Sequence, residues 1–173
     1  MKNRAQGMTL IELMTALLVL AILMSIAVPS FRDFASDSRT TAATSDLVTA
    51  LNLARSEALR RATPVVACAS TDLKDCSGDN DWTDGWIVFA DRNGNGDVDA
   101  DELLQTWTGP EGQIEARGNA DRAVYNAMGM AQLQPGLVEV AFDLQLTGCT
   151  GERRKHVTMS PTGSLRTTRV ACQ

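Results

Sequence analysis

From Met8 to Val28 the chain is apolar at nearly every position, and the run stops at Pro29. At a helical rise of about 1.5 Å per residue, residues 8–28 cover about 31 Å, the thickness of a bilayer's hydrocarbon core. The pattern predicts a single-pass helical anchor. Beyond Pro29 a helical period returns, carried first by Phe31 and Phe34 and then by Leu47, Leu51, Ala54 and Ala58. Proline can kink a helix without ending it, so the helix is expected to resume and reach about Arg61. Thr63-Pro64 stops it there, because the residue before a proline avoids the helical region. Between the two apolar clusters, Ser36-Asp37-Ser38-Arg39-Thr40-Thr41 is polar and predicts an exposed stretch at the top of a stalk. The reading is one long helix: a transmembrane half over residues 8–28 and an amphipathic half over 29–62.

After Pro64 the pattern shortens and the strand formers gather. Strands are predicted over Val65–Ala69, Trp86–Ala90, Leu103–Trp107, Ala123–Asn126, Leu137–Leu146, His156–Ser160 and Leu165–Ala171. Gly, Asn, Asp and Pro punctuate them, as in antiparallel hairpins. The clearest alternation lies in Leu137–Phe142, where Val138, Val140 and Phe142 are placed on one face. The fold class is α+β, with a C-terminal antiparallel β domain over residues 63–173 whose sheet wraps the second half of the helix. The length suits one globular domain behind one anchor.

Charge orients this layout and then complicates it. Lys2 and Arg4 precede the apolar run and the acidic bulk follows, so the positive-inside bias keeps residues 1–7 cytoplasmic and sends the rest across. Glu12 sits inside the run, where an acid costs several kcal/mol and ordinarily has a partner. A secretory signal peptide has a shorter apolar core with its cleavage site after it, which does not fit. A plain anchor leaves Glu12 unexplained. The string Gly7-Met8-Thr9-Leu10-Ile11-Glu12-Leu13 resembles the type III signal of type IV prepilins and pseudopilins. That resemblance implies that a prepilin peptidase cuts after Gly7 on the cytoplasmic side and methylates the new amino terminus of Met8. Most relatives begin the mature chain with phenylalanine; methionine is likewise apolar and pliable. Glu12 then becomes an assembly residue, paired with the terminal ammonium of a neighbouring subunit.

Removing residues 1–7 takes Lys2 and Arg4 away, which moves the basic residues from 16 to 14 against 21 acids and the net charge from -5 to -7. Such a balance argues against generic nucleic-acid affinity. The charge is unevenly spread, with acids crowded between Asp72 and Glu102 and bases between Glu152 and Arg169. Four cysteines in a domain that faces an oxidising periplasm read as two disulfides with three possible pairings. Cys68 with Cys76 and Cys149 with Cys172 are favoured; the first closes a short polar loop and the second ties the C-terminal strand back. No spacing resembles a zinc ligand set.

Two stretches carry candidate chemistry. Asp91 to Glu102 matches the calcium-loop template D-x-[DN]-x-[DN]-G-x5-E at each specified position. Calcium would take oxygens from Asp91, Asn93, Asn95, the Asp97 carbonyl, Asp99 and a bidentate Glu102, with Gly96 allowing the sharp turn. The flanks read as strands where an EF-hand has helices, so a polar Asn-Gly hairpin is the other reading. The second stretch, Ser160 to Cys172, resembles the tail of the GspH/FimT group of minor pilins and pseudopilins. With Gly85-Trp86-Ile87-Val88-Phe89 and the prepilin start, that resemblance covers nearly the whole chain. FimT-type members implicated in DNA uptake carry a glycine-arginine-x-arginine motif near this point. Here Gly163-Ser164-Leu165-Arg166 keeps Arg166 and replaces the first arginine with Ser164. Arg169 lies three residues on, which in a regular strand is the opposite face. Arg153, Arg154 and Lys155 could add phosphate contacts or form a solvated basic loop. No catalytic constellation accompanies the lone His156, so no enzyme is expected.

The resemblance therefore implies a non-enzymatic inner-membrane subunit with a periplasmic domain that bundles with other pilins through its N-terminal helix. It would initiate or cap a type IV pilus or a type II secretion pseudopilus. The alternatives are a DNA-binding minor pilin for natural transformation and a GspH-type component of protein secretion.

Overall fold

In the computed structural model, which describes residues 9–173 except Ala100, helix α1 runs from Leu10 to Arg61. The chain divides into two units, residues 1–36 and 37–173. In the first unit, every large apolar side chain described from Leu10 to Phe34 is exposed, from 47% at Leu20 to 77% at Leu10. Among the described residues no helix is classed as long and apolar enough to cross a membrane.

In the second unit the helix buries one stripe: Ala43, Leu47, Ala50, Leu51, Ala54 and Ala58. These positions recur at helical spacing, and four of the six are alanine, so the helix backbone lies close to what it packs on. The stripe extends further toward the N-terminus than the polar run 36–41 suggests. Thr40 is only 2% exposed, and its carbonyl accepts a hydrogen bond from Thr44 Oγ1 at 2.7 Å, so its polar backbone group is satisfied despite burial. The helix ends at Arg61, and Ala62 turns into the left-handed region at φ 52° before Pro64, a common way to close a last turn.

Among the described residues nine strands follow: β1 Val65–Ala69, β2 Gly85–Ala90, β3 Leu103–Thr108, β4 Ile114–Gly118, β5 Arg122–Tyr125, β6 Ala131–Gln132, β7 Val140–Leu146, β8 Arg154–Met159 and β9 Leu165–Val170. They form two sheets rather than the one expected, ordered β3-β2-β1-β5-β6 and β4-β7-β8-β9. The strand pairings among the described residues are all antiparallel. β7 begins at Val140 instead of Leu137, and Val138 is 82% exposed, so the buried alternation is Val140, Phe142 and Leu144. β8 begins at Arg154 instead of His156.

The main core gathers the helix stripe with one face of β1 and β2 (Val65, Ala67, Ala69, Trp86, Val88, Ala90) and with Phe142, Leu144, Val157 and Met159 of the second sheet. Trp82 packs edge-on against Phe142 at a centroid separation of 4.8 Å, and its indole N–H donates to Ala120 O. The other face of β1 and β2 is also covered. Val66, Cys68, Ile87 and Phe89 form a second cluster beneath Leu73, Cys76, Val98 and Val124. Two loops therefore lie over that face, one closed by the Cys68–Cys76 disulfide and one carrying Val98 between β2 and β3. A second disulfide joins Cys149 to Cys172.

Candidate functional site

Gly7 and Met8, the expected processing pair, lie outside the described residues; at Thr9 and Leu10 the helix starts. Thr9 precedes the first helical residue and Glu12 stands three residues on. The Glu12 N–H donates to Thr9 Oγ1 at 3.3 Å, and the Thr9 N–H donates back to Glu12 Oε2 at 2.9 Å. The Thr9 hydroxyl donates to the same carboxylate oxygen at 2.9 Å. This is a reciprocal capping box, in which a hydroxyl and a carboxylate satisfy two backbone donors that a helix start leaves without partners. Glu12 thus has local partners within its own chain. Thr-x-x-Glu ahead of an apolar run carries that signal in the sequence.

The β2–β3 loop, residues 91–102, is organised around Asp91 and Glu102. Asp91 Oδ1 accepts from the Gly94 N–H at 2.7 Å, and Oδ2 accepts from the Gly96 N–H at 3.2 Å. Asn93 Oδ1 accepts from the Asn95 N–H, and Asn95 Oδ1 from the Asp97 N–H. The amide nitrogens of Asn93 and Asn95 both donate to Asp99 Oδ2, at 2.7 and 3.3 Å. Glu102 Oε1 accepts from the Arg92 N–H at 2.8 Å. Outside this set, Arg92 pairs with Asp101, and Arg122 Nη1 donates to Gly96 O. Among the described residues no three acidic, imidazole or thiol side chains form a ready-made metal cluster.

The basic candidates are divided rather than gathered. β8 and β9 pair in regular register, with Lys155 opposite Arg169 and Thr158 opposite Arg166. Cross-strand partners share a face, so Lys155 and Arg169 are together while Arg166 is on the other side. The first pair meets Asp37 of α1: Arg169 Nη2 donates to Asp37 Oδ2 at 2.7 Å, and Lys155 Nζ stands 3.9 Å from Oδ1. Arg154 pairs with Asp143 at 3.3 Å, and the same carboxylate oxygen holds His156 Nδ1 at 2.8 Å. Arg153 donates to Thr150. Arg166 is exposed.

Gly163, the other residue carried by the family motif, has a packing explanation. Its φ is +76°, and a Cβ there would stand 2.3 Å from Gly129 O. Arg55 on α1 locks the same region, donating from Nε to Gly129 O and from Nη2 to Thr162 O, each at 3.0 Å. Beside it the Tyr125 hydroxyl is buried without a hydrogen-bond partner among the described residues. Burial pushes its pKa up to about 12, although the Arg55 charge pulls the other way.

Comparison with known proteins agrees with this architecture at both ends of the chain. Residues 2–28 match the prokaryotic N-terminal methylation motif, and residues 43–163 match the family described as type II transport protein GspH. A type IV major alpha-pilin from Moraxella bovis is 33% identical over 76 residues, covering 44% of this chain; the chain spans about half (48%) of that relative. The crystal structure of the type IV minor pilin FimU from Pseudomonas aeruginosa superposes with a TM-score of 0.61 at 20% identity, covering 78% of this chain and 92% of FimU. A second crystal form of FimU gives 0.54, with 74% and 91% covered. At that identity the likeness concerns the fold, a long helix with antiparallel sheets. The GspH match extends over most of the chain, and the chain belongs to the GspH family and carries the prokaryotic N-terminal methylation motif.

Proposed function

We propose that this chain is an inner-membrane prepilin, cleaved after Gly7 and methylated at Met8, that initiates or caps a type IV pilus or type II secretion pseudopilus. The observation that carries the reading is the exposure of every large described apolar side chain from Leu10 to Phe34 next to the capped Glu12. Large apolar surface of that extent calls for lipid or for the helices of other subunits. Between Leu10 and Val28 Glu12 is the one ionisable residue and the stretch reaches about 28 Å at helical rise, which supports insertion although no helix among the described residues is apolar enough throughout to cross a membrane by hydropathy alone. The domain beyond it would face the periplasm.

The test is Glu12→Ala. It should leave cleavage at Gly7-Met8 intact, read by mass spectrometry of the N-terminal peptide, and remove the protein from sheared filaments. Normal incorporation would sink the assembly role. A deletion strain scored for twitching, transformation and exoprotein release separates the pilus from the secretion machine. DNA binding is a second reading, favoured by the exposure of Arg166 on the face of β9 away from Asp37. A salt-dependent gel shift lost in Arg166→Ala would support it.

A further inference from the structure

We propose that the β2–β3 loop, residues 91–102, binds calcium. The observation is at Glu102. This residue is 3% exposed, one carboxylate oxygen accepts from the Arg92 N–H at 2.8 Å, and the other, Oε2, is fully buried with no hydrogen-bond partner among the described residues. A buried carboxylate oxygen without a partner is unfavourable, and a cation satisfies it directly. Because Oε1 is fixed to the second residue of the loop, Oε2 is held against that loop too. It occupies the twelfth position of the loop, where the calcium template places a bidentate glutamate.

The other oxygens of the template lie on the same loop. Asp91 is 7% exposed and holds the Gly94 and Gly96 N–H groups, one on each oxygen; a carboxylate oxygen has a second lone pair, so capacity for a cation remains. The backbone N–H groups of Asn95 and Asp97 fix which end of each asparagine amide is oxygen. The side chains of residues 93, 95 and 99 already meet, since both amide N–H groups donate to Asp99 Oδ2. A cation replaces those two donors with one centre of charge. Three carboxylates, two amide oxygens and a main-chain carbonyl form an oxygen-only set suited to a hard cation of flexible geometry. Asp91, Asp99 and Glu102 do not stand as a ready-made three-carboxylate cluster among the described residues, so a cation would draw Asp99 and the two amides in toward Asp91 and Glu102. Val98 is packed into the cluster beneath β1 and β2, so the loop stays docked on the sheet while its polar side chains rearrange.

Calcium is titrated into the full-length chain in detergent micelles, with the melting midpoint and the heat of binding as readouts and magnesium as the control. The expected result is a saturable rise with a Kd of roughly 10⁻⁴ to 10⁻³ M, and a far smaller response to magnesium, which demands stricter octahedral geometry. Glu102→Gln keeps an acceptor for the Arg92 N–H and should weaken calcium binding at least tenfold while melting normally without calcium. Should that variant fail to fold, Asp99→Asn, at an exposed position, decides by the same tenfold criterion. Absence of heat and of any melting shift in the parent chain up to about 10 mM calcium overturns the proposal. So does a folded Glu102→Gln chain that titrates like the parent.

Discussion

The two parts of α1 have the same backbone and opposite relations to their side chains. In residues 10–34 the large apolar groups are leucine, isoleucine, methionine, valine and phenylalanine, and all that are described are exposed. In residues 43–58 the buried positions are four alanines, two leucines and Thr44. Small residues let a helix lie close against a sheet, and the flanking positions are left to polar groups. Bulky residues all round leave no preferred side within the chain, so their burial depends on something outside it. The difference separates an element that stabilises its own domain from one whose stability awaits a partner.

The strongest test of that comparison acts at Glu12. The capping box needs a side-chain acceptor at residue 12, whereas pairing with a neighbour's terminal ammonium needs a negative charge. Glu12→Gln separates the two, because glutamine can still accept from the Thr9 N–H. If charge drives assembly, the glutamine variant should be lost from filaments as completely as the alanine variant. If the cap alone matters, glutamine should restore most of the incorporation, and immunoblots of sheared filaments would show it.

A second test contrasts the helix parts in the isolated subunit. Leu51 is fully buried and Leu17 is 56% exposed. Leu51→Ala should cost about 2–5 kcal/mol in denaturant unfolding, the usual range for a buried leucine. Leu17→Ala should leave the unfolding midpoint of the monomer in detergent nearly unchanged and act on assembly instead. Comparable destabilisation by both would show that residues 10–34 also serve the monomer's own core.

Legibility in the sequence followed the same division. The end of the helix at Arg61 was readable because Thr63-Pro64 forbids continuation, and β1, β2 and β3 were readable from apolar runs between turn residues. β4 was not, since Ile114-Glu115-Ala116-Arg117-Gly118 has two charges and a glycine; it becomes a strand through pairing with β7, where Ile114 and Ala116 are buried. The split into two sheets depends on long-range pairing that no local pattern encodes. At the candidate sites the residue types were legible and their surroundings were not. Nothing in Lys155 or Arg169 announces that Asp37, more than a hundred residues earlier, accepts their charge. Nor does the sequence show why glycine stands at 163, where a Cβ would meet Gly129 O.

The smallest effect concerns Tyr125, the chain's one tyrosine, which belongs to the core that the second part of α1 covers. Its ordinary pKa is near 10 and burial raises it to about 12. The neutral form is therefore the one that the fold favours. This contribution to stability is fully present below about pH 10 and is lost as pH rises through about 12. Because no other tyrosine contributes, tyrosinate absorbance follows this hydroxyl alone: the native chain should titrate near 12 and the denatured chain near 10. Tyr125→Phe removes a buried hydroxyl that has no hydrogen-bond partner, so it should change stability little at neutral pH and reduce the alkaline loss. A native midpoint near 10 would mean that the ring is open to water, and the close packing of α1 on this part of the sheet would fail with it.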